Sequence, residues 1–211
     1  MNPSPAELET PEGLNTPVAS VKKRRRWGAQ DLSLIAVFAA LLVVVAVVPP
    51  IQIGNLLSVP LTLQTLVVTL SALLLGVSRS FAAVGLYVLL GLVGLPIFAG
   101  FRGGIGLLAG PTAGYIIAFP LMALAVGALA TLIVRRAWRL APLLFVLAGI
   151  IGLLISHLLG IIGMMINGKL PLDKAIAADV IFVPGDLVKI VLATVLALAL
   201  HRAFPRLLRD R

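Results

Sequence analysis

Gly94 to Tyr115 reads GLPIFAGFRGGIGLLAGPTAGY: seven glycines, two prolines (Pro96 and Pro111) and one charged residue, Arg102. The runs on either side are apolar and long enough to be helices. The stretch itself resists a helix, because glycine raises the entropic cost of helical backbone and proline removes an amide donor. Between segments that lie in lipid, irregular backbone persists only where protein buries it or water reaches it. A loop is therefore expected here, at a place where a ligand site is built.

The flanks do belong in lipid. Of 211 residues, 60% are hydrophobic and only 12% charged, with a mean hydropathy of +1.13, whereas soluble domains carry about a quarter charged residues. Runs able to cross about 30 Å of hydrocarbon fall at 31–48, 61–77, 80–95, 112–134, 142–166 and 185–203. The second and third are separated only by Gly76 to Ser80, a tight helical hairpin. The expected fold is an all-α integral membrane protein of six transmembrane helices, with the glycine-rich loop between helices 3 and 4. If that loop dips back without a crossing, the count falls to five.

Charge distinguishes the two. With the N-terminus inside, the inner segments hold Lys22 to Arg26, Arg79, Arg135, Arg136, Arg139, Arg202, Arg206, Arg209 and Arg211, thirteen of the seventeen basic residues. Arg102, Lys169 and Lys174 fall outside, and Lys189 near a helix start. Cytoplasmic loops of membrane proteins carry this excess of Lys and Arg. Six spans with both termini cytoplasmic satisfy the rule, and five would export the C-terminal arginines. The glycine-rich loop is then extracellular. The net charge of +9 reads as topology and contact with anionic lipid, not as a nucleic-acid surface.

Three regions follow. Residues 1–27, rich in proline and ending in the basic run, read as a disordered cytoplasmic tail. Residues 28–205 form the membrane domain, and 206–211 a second basic tail. A cleaved signal peptide is disfavoured because Leu32 to Val48 is too long and no small-residue cleavage pattern follows. The absence of cysteine removes disulfides and thiolate chemistry. No metal cluster and no catalytic set is expected.

Several motifs have both a plain and a functional reading. Gly163 to Lys169 has P-loop spacing, but Leu170 stands where Ser or Thr would ligate Mg²⁺, so it is rejected. Ser156 and His157 are adjacent, about 100° apart on a helix, and poorly placed as a nucleophile and base. His157 is expected to be buried and bonded to a neighbouring helix, with ligand contact or proton relay as the minor alternative. Ala36 and Ala40 lie one turn apart and give a flat strip for close helix approach. Asp186 and Lys189, three apart on one face, either complement the helix dipole as an ion pair or serve a ligand. Gln64, beside Thr62 and Thr65, needs a polar partner or a ligand inside an apolar run.

Five elements taken together resemble the BioY family, the biotin-specific S components of energy-coupling factor (ECF) transporters. They are Pro60 to Thr65 (PLTLQT), Tyr87 to Gly94 (YVLLGLVG), Leu95 to Gly100 (LPIFAG), Gly110 to Tyr115 (GPTAGY) and Pro184 to Lys189 (PGDLVK). Their order and spacing are similar to the family's over roughly residues 31–203. Ala113 stands where the family usually has a second glycine. The resemblance implies a six-helix substrate-capture subunit in a prokaryotic cell membrane, which binds biotin from outside. It also implies partners, a transmembrane T component and two ATPase subunits, with Ala36 and Ala40 on the T-component interface.

On that resemblance Asp186 would accept the ureido N–H groups of biotin. Lys189, slightly ahead of Arg102, would neutralise the valerate. Gln64 completes the polar set, Phe98, Phe101 and Tyr115 would pack on the ring and chain, and Gly103, Gly104 and Gly106 would let the loop backbone approach closely. Biotin is ligand, not cofactor, and no cofactor is expected. The competing readings are an S component for another vitamin and an intramembrane hydrolase built on Ser156 or His157.

Overall fold

A computed structural model describes residues 27–48 and 59–204. The expected tails, 1–26 and 205–211, and the connection 49–58 lie outside the described residues. Among those described, the ordered elements are all helical. They are α1 (Ala29–Val47), α2 (Gln64–Val93), α3 (Ala113–Arg136), α4 (Ala141–Ile166), α5 (Leu172–Val180) and α6 (Val183–Ala203). Short 3-10 turns at Ile105–Ala109 and Trp138–Leu140 precede α3 and α4 respectively. All of these helices but α5 are long and apolar enough to cross a membrane.

α2 is one helix by hydrogen bonding and two by shape. Gly76 sits at φ 72°, ψ −171°, a region essentially reserved for glycine. A straight helix would hold Gln64 and Tyr87 about 34 Å apart. Instead the Gln64 amide donates to the Tyr87 hydroxyl at 2.7 Å. The two limbs therefore lie side by side and antiparallel, and they are the second and third apolar runs read from the sequence. Gly76 alone makes the turn, with Val77 to Ser80 already helical. The first limb rises only about 18 Å. Its shortness leaves room above it for the extended segment 59–63.

The bundle closes on tight crossings and a few buried polar ties. α3 passes the hairpin so closely that a Cβ at Gly127 would lie 2.9 Å from Gly76 C and Val77 N. Gly114 meets the backbone of α4 at Leu159 and Gly160. Without a hydrophobic force between helices in lipid, such close van der Waals packing is a main source of association. Leu73, Leu74, Val84, Met122, Val126 and Phe145 fill the interior. At the end of the bundle away from the glycine-rich loop, Arg79 on α2 pairs with Asp31 on α1 at 3.6 Å. Near the same end His201 Nε2 lies 2.9 Å from the Leu73 carbonyl and touches the rings of Trp138 and Phe145.

The outer surface is apolar all round: Val37 and Val44 on α1, Leu89 on α2, Leu154 on α4 and Val195 on α6 are all exposed. Contiguous exposed apolar surface on this scale needs lipid or protein to cover it. α1 packs inward through Ile35, Ala39, Leu42 and Ala46. Ala36 and Ala40 sit on its exposed side.

The connection 167–184 is not the plain loop expected from the sequence. It carries α5, nine residues long, whose Ala175 and Ala178 pack with Met164, Val59 and Phe182. Its shortness kept it below any length expected of a crossing.

Candidate ligand site

A half-open cavity lies at the loop end of the bundle, with about 700 Å³ of atom-free space when its mouth is counted. Its floor and walls come from distant parts of the chain. Val59 to Thr62 enter from the segment before α2, Gln64 and Thr65 from its first turn, Tyr115, Ile116 and Phe119 from α3, and Ser156 from α4. Phe182 precedes α6, which contributes Asp186 and Lys189, while Phe98, Ala99 and Arg102 come from the glycine-rich loop.

The loop is folded by its own backbone. Phe98 and Arg102 exchange hydrogen bonds at 2.9 and 3.3 Å, which closes a turn with Gly100 and Phe101 at positive φ. Phe98 packs edge-on against Tyr87 at 5.3 Å and covers Gly91, where a Cβ would collide with its ring. The Tyr87 hydroxyl in turn donates to the Ile97 carbonyl at 3.3 Å. The same hydroxyl accepts from Gln64, so Gln64 ties the loop to the start of α2.

At the polar end, Asp186 and Lys189 stand one helical turn apart on α6. Lys189 Nζ donates to Asp186 Oδ1 at 2.8 Å and to the Thr62 carbonyl at 2.6 Å. The Thr65 hydroxyl also donates to Oδ1, at 2.8 Å. An ammonium has three N–H groups, so one remains for a ligand. Among the described residues, Asp186 Oδ2 has no donor other than His157 Nε2, 3.4 Å away, and it keeps acceptor capacity. The pair is self-neutralising. Arg102 differs: Nε donates to the Ala99 carbonyl at 3.2 Å, yet among the described residues no carboxylate pairs with it.

Of the residues expected at the site, Gln64, Phe98, Arg102, Tyr115, Asp186 and Lys189 line this one cavity. Phe101, Gly103, Gly104 and Gly106 do not. Phe101 is 66% exposed at the tip of the turn. A Cβ at Gly103 would strike the backbone of Leu95, and Gly104 lies at φ 98°. Both glycines serve the fold of the loop itself. His157 is buried and bonded to another helix, as read from the sequence, and the partner is Asp179 on α5 at 2.7 and 2.8 Å. Asp179 also accepts from the Tyr115 hydroxyl. Asp179 has no role legible in the sequence, because nothing along the chain links residues 22 apart.

An apolar multi-helix bundle with a half-open cavity at its loop end, polar on one side, is the architecture of a multi-pass membrane protein. The BioY family profile matches residues 18–206, and the chain belongs to that family. It is 34% identical over 181 residues to a protein of Rhizobium etli named a biotin transporter BioY, covering 84% of this chain and 96% of that one. A Thermotoga maritima protein of the same name is 42% identical over 174 residues, covering 82% and 96%. One from Rhodobacter capsulatus is 39% identical over 193 residues, covering 86% and 98%. Among solved structures, the S-component for biotin from an ECF-type ABC transporter superposes with a TM-score of 0.77 at 25% identity, covering 85% of this chain and 96% of that one.

Proposed function

We propose that the chain captures biotin from outside the cell as the S component of an ECF-type transporter, and that it acts as a transport subunit, not as an enzyme. The observation that carries the reading is the match between charges in the cavity and charges on the ligand. The ureido ring is neutral, with two N–H donors and one carbonyl acceptor. The Asp186–Lys189 pair is also neutral, and it retains one acceptor, Oδ2, and one spare N–H. The valerate is anionic, and Arg102 is the cation without a carboxylate partner at the site. The ring therefore binds at Asp186 and Lys189 while Arg102 holds the carboxylate. This reverses the ranking drawn from the sequence, because Lys189 is already balanced at 2.8 Å. Phe98, Tyr115 and Phe119 supply apolar walls for the thiophane and chain.

Six crossings, with both termini cytoplasmic and the glycine-rich loop outside, put the cavity on the external face of a prokaryotic cell membrane. The two limbs of α2 count as two of these crossings. The exposed strip of Ala36 and Ala40 on α1 suits close approach by a T-component helix, and two ATPase subunits supply the energy. Biotin is the ligand, with no cofactor.

The direct test is equilibrium binding of labelled biotin to the purified chain without ATP, with unlabelled vitamins as competitors. Saturable binding that only biotin competes away is the expected result. Equal competition by another vitamin would reassign the ligand, and no binding at all would reject capture by the isolated subunit.

A further inference from the structure

We propose that His157 and Asp179 form a positioning pair for Asp186, a carboxylate–imidazole–carboxylate string behind the cavity wall. The inference rests on the biotin reading and extends it to two residues that do not line the cavity. His157 Nδ1 lies 2.8 and 2.7 Å from the two carboxylate oxygens of Asp179, so Nδ1 carries a proton and donates it there. On the other side Nε2 is buried, makes no hydrogen bond of normal geometry among the described residues, and faces Asp186 Oδ2 at 3.4 Å. A lone pair on Nε2 would point at a carboxylate oxygen and repel it. A proton there makes the contact attractive and leaves the imidazole carrying both.

The charges then balance. Asp179 and Asp186 are negative, Lys189 and the doubly protonated His157 positive, and Tyr115 adds a neutral donor to Asp179. Among the described residues, the charged groups paired with the imidazole or with its partners are in that set, from α5 and α6, with Tyr115 reaching in from α3. Buried charges persist where they are paired in this way. Without the second proton the cluster would be net negative beside a site for an anionic ligand. The imidazolium also restrains Asp186 Oδ2, the oxygen left to accept a ligand N–H, while Thr65 and Lys189 restrain Oδ1. The string thus makes α5, on the loop side of the bundle, part of the ligand site without touching the ligand.

The chain has two histidines, which makes the imidazole directly readable. Full-length protein in lipid nanodiscs is titrated with biotin, and its ring nitrogens are read by ¹⁵N NMR, with His201→Asn assigning the second histidine. At neutral pH, wild type should show His157 protonated on both nitrogens. Asp179→Asn should abolish that signature and weaken biotin by about tenfold or more, the scale of a charged hydrogen bond, and Asp179→Glu should restore both. His157→Gln should weaken biotin similarly but add nothing on top of Asp186→Asn, since it acts through that carboxylate. A singly protonated His157 in wild type overturns the proposal. So does wild-type affinity in Asp179→Asn, or a His157→Gln loss that multiplies with that of Asp186→Asn. If wild type binds no biotin, the function reading fails instead, and the NMR signature still decides whether the charged string exists.

Discussion

Asp186 is the residue on which the proposed ligand site turns, because it is buried yet has an oxygen to spare. Oδ1 is taken by Lys189 and Thr65, each at 2.8 Å, and Oδ2 is open to a donor. Asp186→Asn would place an amide next to Lys189 and replace one acceptor with a donor. A hydrogen bond to a charged group contributes about 1.5–3 kcal/mol, so biotin affinity should fall by roughly 10- to 100-fold in calorimetric titration. Unchanged affinity would show that the ring is held elsewhere. Arg102 gives a complementary expectation. Arg102→Gln should weaken biotin by about tenfold while leaving biotin methyl ester almost unaffected, because the ester has no anion to neutralise. If Lys189→Gln instead removed the preference for acid over ester, the carboxylate would lie at Lys189.

Among the helices, the device that shapes the site is the fold in α2. Gly76 at φ 72°, ψ −171° brings Gln64 back beside Tyr87 and thereby joins the start of α2 to the glycine-rich loop. Gly76→Ala should cost about 1–3 kcal/mol, seen as a thermal midpoint lowered by roughly 2–4 °C per kcal/mol in a melt of the purified protein. A variant as stable as wild type would mean that a different residue absorbs the turn. The hairpin was legible in the sequence because Gly76 to Ser80 breaks two apolar runs, each too short to need further explanation. The loop at 94–115 was legible for the same reason. α5 was not, since nine residues give no membrane-length signal. Nor was the contact between Asp179 and His157, which depends on how α5 lies across α4. Phe101 was read as a wall of the site on its aromatic character alone. Its exposed position follows from the turn that Phe98 and Arg102 close around it, a geometry that composition does not encode.

For the molecule as a whole, the decisive quantity is how many times the chain crosses the bilayer, because that fixes which side the cavity faces. The limbs of α2 run antiparallel, so the apolar helices amount to six passes if each limb crosses. The basic residues at Arg79 and Arg135 to Arg139 then share one face with the Asp31–Arg79 pair. The cavity and the glycine-rich loop lie at the opposite end of the bundle, which under the proposed topology is the external side. Partner docking belongs to the same scale. Ala36 and Ala40 are exposed while Ile35 and Ala39 beside them pack inward. Replacing both exposed alanines with leucine should leave biotin binding by the isolated chain intact and reduce co-purification with a T component. Topology is directly testable because the chain contains no cysteine, so a single introduced thiol is the only one present. Phe101→Cys, on the exposed loop tip, should react in intact cells with a membrane-impermeant maleimide. Ala137→Cys, between α3 and α4, should react only after permeabilisation. Labelling of both from outside would remove a crossing between them, and the reverse pattern would turn the cavity toward the cytoplasm and exclude capture from outside.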